Sequence, residues 1–241
     1  MRSRRDDGEQ RLSFGSAAAL YDRIRPSYPA EAARWLLGDG PLRVVDLGAG
    51  TGIFTRVLTS LGHEVVAVEP DEAMLAVLCA RAPGVEALAG EAESIRLASE
   101  SVDAVVAAQA HWWFDGSRAY AEIARVLRPG GVFGALWNGP DERVPWAAEF
   151  QRIESGCPSV RVSPPAPGPG FGPVEQATFE HRVRQTRGTL PELLASRAYF
   201  ITAPAAERER VEAEVRALAA TLPPEFEFPY VTFAARARKH A

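Results

Sequence analysis

The sequence predicts a doubly wound α/β domain with a mostly parallel sheet, closed at one edge by an antiparallel pair of C-terminal strands. Three observations support this prediction. Strand-like and helix-like segments alternate between Leu42 and Trp137, which is typical of parallel strands joined by right-handed crossovers. The first strand enters a glycine-rich turn at Gly48. After Val144 the alternation stops, and two strand-like segments follow in the C-terminal part of the chain.

Hydrophobic periodicity locates the individual elements. The predicted strands lie at residues 42–47, 64–68, 85–89, 101–108, 132–137, 176–185 and 226–235. The predicted helices lie at residues 16–37, 52–61, 71–81, 117–127, 144–155, 190–200 and 205–222. Pro26 and Pro29 interrupt the first helix, because a proline lacks the backbone N–H and restricts the residue before it. Asp71 is a predicted N-cap, residues 1–13 form a predicted mobile tail, and residues 158–173 form a predicted proline-rich loop.

The composition narrows the classes of partner and compartment. Of the 241 residues, 24% are charged and the net charge is −4, so neither nucleic acid nor an anionic membrane is an expected partner. No apolar run is long enough to span a bilayer, and the N-terminal segment lacks the apolar part of a signal peptide. Cys79 and Cys157 are too few for a disulfide framework or a zinc site, and Cys79 is a predicted packed thiol. A metal-free cytoplasmic protein is expected.

The strongest local signal is the segment Val-Val-Asp-Leu-Gly-Ala-Gly-Thr-Gly at residues 44–52. A strand enters this glycine-rich turn and a helix leaves it. Glycines allow a ligand to approach the backbone closely, and the first turn of the helix offers unpaired N–H groups. The dinucleotide-binding pattern G-x-G-x-x-G is not met, because Gly52 comes one residue early and Ile53 stands at the third glycine position.

Two acidic residues indicate which ligand the turn accepts. Asp46 lies two positions before the first glycine, where its carboxylate would repel a pyrophosphate but could pair with an ammonium group. Glu69 ends the second strand, and a carboxylate at that strand tip can accept hydrogen bonds from both hydroxyls of a ribose. The pair therefore favours a nucleoside that carries an amino acid and lacks phosphates.

Residues 44–52 together with Glu69 resemble the first two motifs of the class I S-adenosylmethionine (SAM)-dependent methyltransferases. Further matches follow in the family's order at residues 90–93, 101–106 and 126–131. The resemblance covers about residues 42–137 and implies a Rossmann-like sheet of seven strands. It also implies SAM as the cofactor, S-adenosylhomocysteine (SAH) as its product, and no metal. Within a single domain of residues 1–241, the expected parts are a helical lid at 14–37, a SAM-binding core at 38–137 and an acceptor-side insert with the closing strands at 138–241.

The same resemblance assigns roles to individual residues. The implied cofactor contacts in the core are Asp46, Gly48, Ala49, Gly50, Gly52, Glu69, Pro70, Met74, Glu91, Ala92 and Gln109. Glu91 stands where the family usually has an aspartate. Its contact with the adenine edge is therefore expected to be one methylene longer.

Several flanking segments are similar to the trans-aconitate methyltransferase-like branch, within methyltransferase type 11. They lie at residues 14–15, 21–29, 109–115, 137–138 and 196–199. By this resemblance Tyr21 and Tyr28 cover the cofactor, and Arg25 binds the methionine carboxylate. The alternative for Arg25 is a solvated charge at a helix end. The implied acceptor contacts are Tyr21, Trp112, Trp137, Asn138 and Tyr199.

His111 follows the fourth strand directly and is the candidate catalytic residue, either as a base or as a donor that orients the acceptor. The alternative is a structural histidine at the strand end. The expected function is SAM-dependent methyl transfer to a small-molecule acceptor, with O-methylation of a carboxylate or hydroxyl favoured. Two alternatives stand beside it: a SAM-fold protein without transfer activity, used as a binding or regulatory module or for another reaction in the pocket, and an enzyme with a macromolecular acceptor.

Overall fold

A computed structural model describes residues 17–155 and 163–241. Its seven strands are β1 (Arg43–Leu47), β2 (Glu64–Glu69), β3 (Glu86–Ala89), β4 (Val102–Ala108), β5 (Leu127–Pro140), β6 (Glu175–Thr186) and β7 (Glu225–Arg238). Its helices are α1 (Ala18–Ile24), α2 (Ala30–Leu37), α3 (Ile53–Ser60), α4 (Glu72–Arg81), α5 (Gly116–Val126), α6 (Pro145–Ser155), α7 (Thr189–Ala195), α8 (Ala198–Thr202) and α9 (Ala205–Thr221). A short 3-10 turn, His111–Trp113, follows β4.

The strands form one mixed sheet in the order β3-β2-β1-β4-β5-β7-β6. Strand β1 pairs in parallel with β2 and with β4, and the pairs β2–β3 and β4–β5 are also parallel. The C-terminal pair is antiparallel, as the sequence predicts. Because the chain order reverses at β1, the turns after β1 and β4 flank the switch point, where ligands bind in open α/β sheets.

Two units emerge from the contacts within the chain. We call the described residues 27–138, 163–179 and 232–241 the sheet unit. We call the described residues 17–26, 139–155 and 180–231 the helical unit. The predicted single domain with a lid and an acceptor-side insert stays a prediction.

Each unit has its own apolar core. In the sheet unit, Val45, Val66 and Val105 of neighbouring central strands are fully buried, because a parallel sheet is covered on both faces. In the helical unit, leucines of α7 and valines of α9 pack with aromatic rings of α6 and β7. Helix α4 begins as predicted, because the Asp71 side chain accepts hydrogen bonds from the N–H groups of Ala73 and Met74.

Strand β5 begins five residues earlier than the sequence predicts. Leu127 pairs with Val102, and the register shifts before Val132 pairs with Ala104. Gly130, within the shift, has a φ of +75°, which glycine adopts without steric cost. The Pro-Gly-Gly segment at 129–131 therefore follows the end of helix α5 and forms the irregular part of strand β5.

Two further expectations are wrong. The helix predicted at 190–200 is broken, because the Ser196 hydroxyl donates to the carbonyl of Leu193 (2.7 Å) and Arg197 adopts an extended backbone. Cys79 is exposed rather than packed, since Leu78 faces the core beside it. The predicted tail at 1–13 lies outside the described residues, and so does the first part of the proline-rich loop.

Candidate active site

The glycine turn between β1 and α3 has three glycines with positive φ: Gly48 (+70°), Gly50 (+58°) and Gly52 (+79°). A Cβ atom at Gly48 would lie 2.7 Å from the Cβ of Ala110, and one at Gly52 would lie 2.9 Å from Cγ of Leu78. A Cβ at Gly50 would meet nothing within 4 Å. Gly48 and Gly52 therefore serve close packing of the protein, whereas Gly50 lies beside open space that a ligand can enter.

Asp46 lies under this turn and is only 1% exposed. Its Oδ2 accepts a hydrogen bond from the Thr55 hydroxyl (2.6 Å). Its Oδ1 is buried and has no hydrogen-bond partner among residues 17–155 and 163–241, and the same holds for the hydroxyl oxygen of Thr51. Burial, and secondarily the charge of Glu69, raises the pKa of Asp46 to about 7 despite the bond from Thr55. A buried carboxylate oxygen without a donor is costly and indicates a site for a cationic group.

Glu69, at the end of β2, is also buried. Its Oε2 accepts from the Gly50 N–H (2.8 Å) and its Oε1 from the Asp71 N–H (2.9 Å). This carboxylate therefore holds the turn after β1 against the turn after β2. Each carboxylate oxygen has a second lone pair, so the arrangement is compatible with the predicted ribose contacts.

The remaining predicted cofactor residues of this region lie on or beside the same strands. Met74 is buried on α4 and Pro70 is half-buried. Ala92 is buried, while Glu91 is exposed and forms an isolated bridge with Ser94. Their roles in binding a nucleoside stay predictions.

Gln109, immediately after β4, has a φ of +57°. This left-handed backbone costs a non-glycine residue about 1–3 kcal/mol, and such strain often occurs at functional sites. The Gln109 N–H donates to Leu136 O (2.8 Å), and Nε2 donates to Asn138 O (3.3 Å). The strained residue is thus held against β5.

Asn138 is buried and its side chain joins two segments of the sheet unit. Its Nδ2 donates to the carbonyl of Ser27 (3.1 Å), and its Oδ1 accepts from the hydroxyl of Thr232 (2.5 Å). Thr232 is fully buried on β7 and was not a candidate from the sequence. Its position in a mostly apolar strand carried no signal, because the partner is 94 residues away.

His111 is 6% exposed, and its Nε2 lies 2.9 Å from the carbonyl oxygen of Ser163. Because a carbonyl only accepts, Nε2 carries the proton and Nδ1 keeps its lone pair in the neutral ring. Nδ1 is buried without a hydrogen-bond partner in the described part of the chain. Burial lowers the pKa of His111, and the bond to Ser163 only partly offsets this. The residue is therefore a neutral acceptor of a proton at pH 7.

Two aromatic rings lie beside His111. The ring of Trp112 lies 5.1 Å from that of His111, and the ring of Trp137 lies 5.5 Å away. Trp137 in turn stacks on Phe233 of β7, with centroids 5.6 Å apart. The sheet unit thus contains His111, Trp112, Trp137 and Asn138. The other two predicted acceptor residues, Tyr21 and Tyr199, belong to the helical unit.

Tyr28 belongs to the sheet unit, where its buried ring contacts Phe54 edge to face (5.2 Å). Tyr21, Arg25 and Tyr199 belong to the helical unit. Arg25 is not a solvated charge, because its Nη2 donates to the carbonyl of Ser196 (3.0 Å) and its guanidinium lies 4.7 Å from the centre of the Tyr21 ring. Its contact with a methionine carboxylate stays a prediction.

The chain matches known proteins over nearly its whole length. A family model described as a methyltransferase domain matches residues 45–135. An uncharacterized methyltransferase of Mycobacterium tuberculosis (strain H37Rv) is 47% identical over 243 residues, covering 98% of each chain. The chain belongs to the class I SAM-dependent methyltransferases. A solved structure of a proposed type II methyltransferase from Anaeromyxobacter dehalogenans is 26% identical with a TM-score of 0.57, covering 89% of this methyltransferase and 97% of that chain.

Some relatives of this methyltransferase have a named acceptor. The malonyl-[acyl-carrier protein] O-methyltransferase of Methylococcus capsulatus is 39% identical over 132 residues, which is 50% of this chain and 48% of that protein. Among the described residues of the methyltransferase, no group of three or more His, Cys, Asp or Glu side chains could hold a metal ion. Within the same residues, no helix is long and apolar enough to cross a membrane.

Proposed function

We propose that this methyltransferase transfers the methyl group of SAM to an oxygen of a small organic acceptor. The observation that carries the proposal is the buried Asp46 carboxylate, whose unpartnered Oδ1 lies under a glycine turn with open space at Gly50. SAM supplies a methyl group on a positively charged sulfur. The methionine ammonium of the same molecule would satisfy Asp46, and the donor that Asp46 lacks in the free protein would come from the cofactor.

The other residues of the turn complement the same molecule. Glu69 would accept hydrogen bonds from the ribose hydroxyls, as a carboxylate at the end of the second strand can. Pro70, Met74 and Ala92 would contact the base, and Glu91 would bind its polar edge. Tyr28 and Gln109 would complete the binding surface on the methionine side.

Methyl transfer from a sulfonium is an in-line displacement with a neutral leaving group, so positioning and exclusion of water contribute most of the rate. The aromatic rings around His111 exclude water, and Trp137 and Asn138 border the same region. For a hydroxyl acceptor, Nδ1 of His111 takes the proton, because Ser163 already accepts from Nε2. For a carboxylate acceptor no base is needed, and His111 orients the acceptor instead.

Two observations favour oxygen as the methylated atom. The Methylococcus relative is named for O-methylation of a malonyl group. The segments at 109–115 and 137–138 resemble the trans-aconitate methyltransferase-like branch, whose name refers to a carboxylate, although its members act on varied small molecules. The small-molecule acceptor and the cytoplasmic location stay predictions alongside this proposal.

The test combines cofactor binding with an acceptor search. Calorimetry should show SAH binding without added metal, whereas NAD should not bind. Incubation with methyl-labelled SAM and a panel of organic acids and alcohols, read by mass spectrometry, should give a labelled ester or ether. Absence of SAH binding would refute the proposal, and SAH binding without transfer to small molecules or proteins would favour a binding module.

A further inference from the structure

One buried residue of the sheet unit holds two segments that carry predicted cofactor contacts. Asn138, near the end of β5, is 7% exposed. Its Nδ2 donates to the carbonyl of Ser27 (3.1 Å), the residue before Tyr28, and its backbone carbonyl accepts from Nε2 of Gln109 (3.3 Å). Tyr28 and Gln109 are both predicted to contact the cofactor. Asn138 therefore fixes the backbone beside the first and the side chain of the second.

The orientation of the Asn138 amide depends on Thr232 of β7. A backbone carbonyl only accepts hydrogen bonds, so the amide atom that faces Ser27 is the nitrogen and the one that faces Thr232 is the oxygen. The Thr232 hydroxyl is therefore the donor in its 2.5 Å bond to Oδ1 of Asn138. Thr232 is fully buried. Loss of its hydroxyl would deprive a buried oxygen of this donor, which is costly where water does not replace it.

Gln109 requires support from its surroundings, because its φ of +57° is strained for a residue with a side chain. Two hydrogen bonds join it to β5. Its N–H donates to the carbonyl of Leu136 (2.8 Å), and its Nε2 donates to the carbonyl of Asn138. A strained backbone persists only where the neighbouring structure determines it. A shift of Asn138 would weaken the second of these bonds and leave the conformation of Gln109 less well determined.

We propose that Thr232 is a positioning residue of the cofactor site, which orients the Asn138 amide so that Asn138 holds Gln109 and the segment before Tyr28. The amide of Asn138 is engaged within the protein through both its oxygen and its nitrogen. Asn138 therefore positions cofactor contacts, whereas the resemblance assigned it to the acceptor. This inference rests on the proposed function, because it requires a cofactor that contacts Tyr28 and Gln109.

A double-mutant cycle on the full chain tests whether Thr232 acts through Asn138. Wild type, Thr232→Val, Asn138→Ala and the double variant are titrated with SAH by calorimetry, and their free energies of unfolding are measured with denaturant. Valine keeps the branched shape of threonine but lacks the hydroxyl, and Thr232→Ser keeps the hydroxyl. Ile123→Val is the control for reduced stability alone, because Ile123 is fully buried on α5 of the same unit.

We expect Thr232→Val to weaken SAH binding by about 5-fold, as is typical for the loss of one hydrogen bond. Thr232→Ser should bind SAH like wild type. Ile123→Val should also keep the wild-type affinity for SAH, although it is less stable. In the Asn138→Ala background, Thr232→Val should cause no further loss of affinity, because the amide through which the hydroxyl acts is already absent.

Three results would overturn the inference. Wild-type affinity for SAH in Thr232→Val would show that the hydroxyl does not position the cofactor site. Additive losses in the double variant would show that Thr232 acts by a route other than Asn138. An equal loss of affinity in Ile123→Val would assign the effect to stability.

The comparison of Thr232→Val with Thr232→Ser tests the inference even if Asn138→Ala fails to fold. Failure of SAH to bind the wild-type protein would refute the proposed function, which keeps the two failures distinct.

Discussion

Replacement of Asp46 by asparagine should make the free protein more stable and the cofactor complex weaker. The side chain keeps nearly the same shape, and the amide oxygen can still accept from the Thr55 hydroxyl. A carboxyl whose pKa is about 7 instead of about 3.9 is disfavoured in its charged form by about 4 kcal/mol. The buried amide has a polar cost of its own of about 1–3 kcal/mol. A net gain of about 1–3 kcal/mol in the free energy of unfolding is expected at pH 8.

The sign of the pH effect follows from the direction of the shift. Because the pKa of Asp46 is raised in the folded state, the native protein binds more protons than the unfolded chain between about pH 4 and about pH 7. This group therefore costs stability as the pH rises through that window. The Asp46→Asn variant lacks this loss, so the stability difference between the two proteins should grow from pH 5 to pH 8.

The affinity for the cofactor should increase as the pH rises, whereas the contribution of Asp46 to stability decreases. If the methionine ammonium pairs with ionised Asp46, protonation of the carboxyl competes with binding. The apparent affinity of wild type for SAH should fall about 10-fold from pH 8 to pH 6, since about one molecule in ten is competent at the lower pH. In the variant this dependence should be absent, and the affinity at pH 8 should be lower than wild type by about 10- to 100-fold.

Calorimetry and denaturant unfolding from pH 5 to pH 8 measure both effects. The binding enthalpy of wild type at pH 7 should depend on the ionisation enthalpy of the buffer, because binding releases about half a proton per site. Asp39→Asn is the matched control, since Asp39 is an exposed aspartate of the same unit. An Asp46→Asn variant that is less stable than wild type and binds SAH with unchanged affinity would refute the reasoning.

Three further predictions concern the same site. Glu69→Ala should weaken SAH binding at least about 10-fold. It should also lower the free energy of unfolding by about 1–3 kcal/mol, because two backbone N–H groups lose their acceptor. A folded variant with the wild-type dissociation constant for SAH would contradict this prediction. With a hydroxyl acceptor and saturating SAM, His111→Ala should reduce turnover by roughly 10²–10⁴-fold. Wild-type turnover should fall only at a pH below the ordinary pKa of histidine, because burial lowers the pKa of His111. Equal turnover and acceptor KM in both proteins would leave a structural histidine. Gly48→Ala should lower the melting temperature more than Gly50→Ala, since of these two positions only a Cβ at 48 would meet another atom within 3 Å. Gly50→Ala should mainly weaken SAH binding. A larger loss of stability in Gly50→Ala and a larger loss of SAH binding in Gly48→Ala would show that the ligand does not lie at Gly50.

Local signals in the sequence were sufficient to predict the glycine turn and the two carboxylates beside it. The alternation of strands and helices, the glycine turn at residues 48–52, and the N-cap at Asp71 all depend on residues that are near one another in the chain. Parallel pairing then brings the ends of β1 and β2 together, so Asp46 and Glu69 could be placed at one sheet edge without knowledge of side-chain contacts. The same local logic misplaced the start of β5, because strand pairing with β4 overrides the Pro-Gly-Gly signal.

Properties that depend on residues distant in the sequence could be determined only from the tertiary structure. The proton on His111 is positioned by Ser163, 52 residues away, and the pKa of Asp46 is set mainly by burial that no local pattern records. Arg197 lies at a helix end, Glu154 lies in a helix and Tyr230 lies in a strand, and these elements are far apart in the chain. None of the three residues carries a functional signal in the sequence by itself. Their common burial beside Arg25 makes their charges interact, because charges act strongly where water is excluded. The sequence thus determined the fold and the cofactor class, and the packing of the helical unit determined which of its charged groups are buried together.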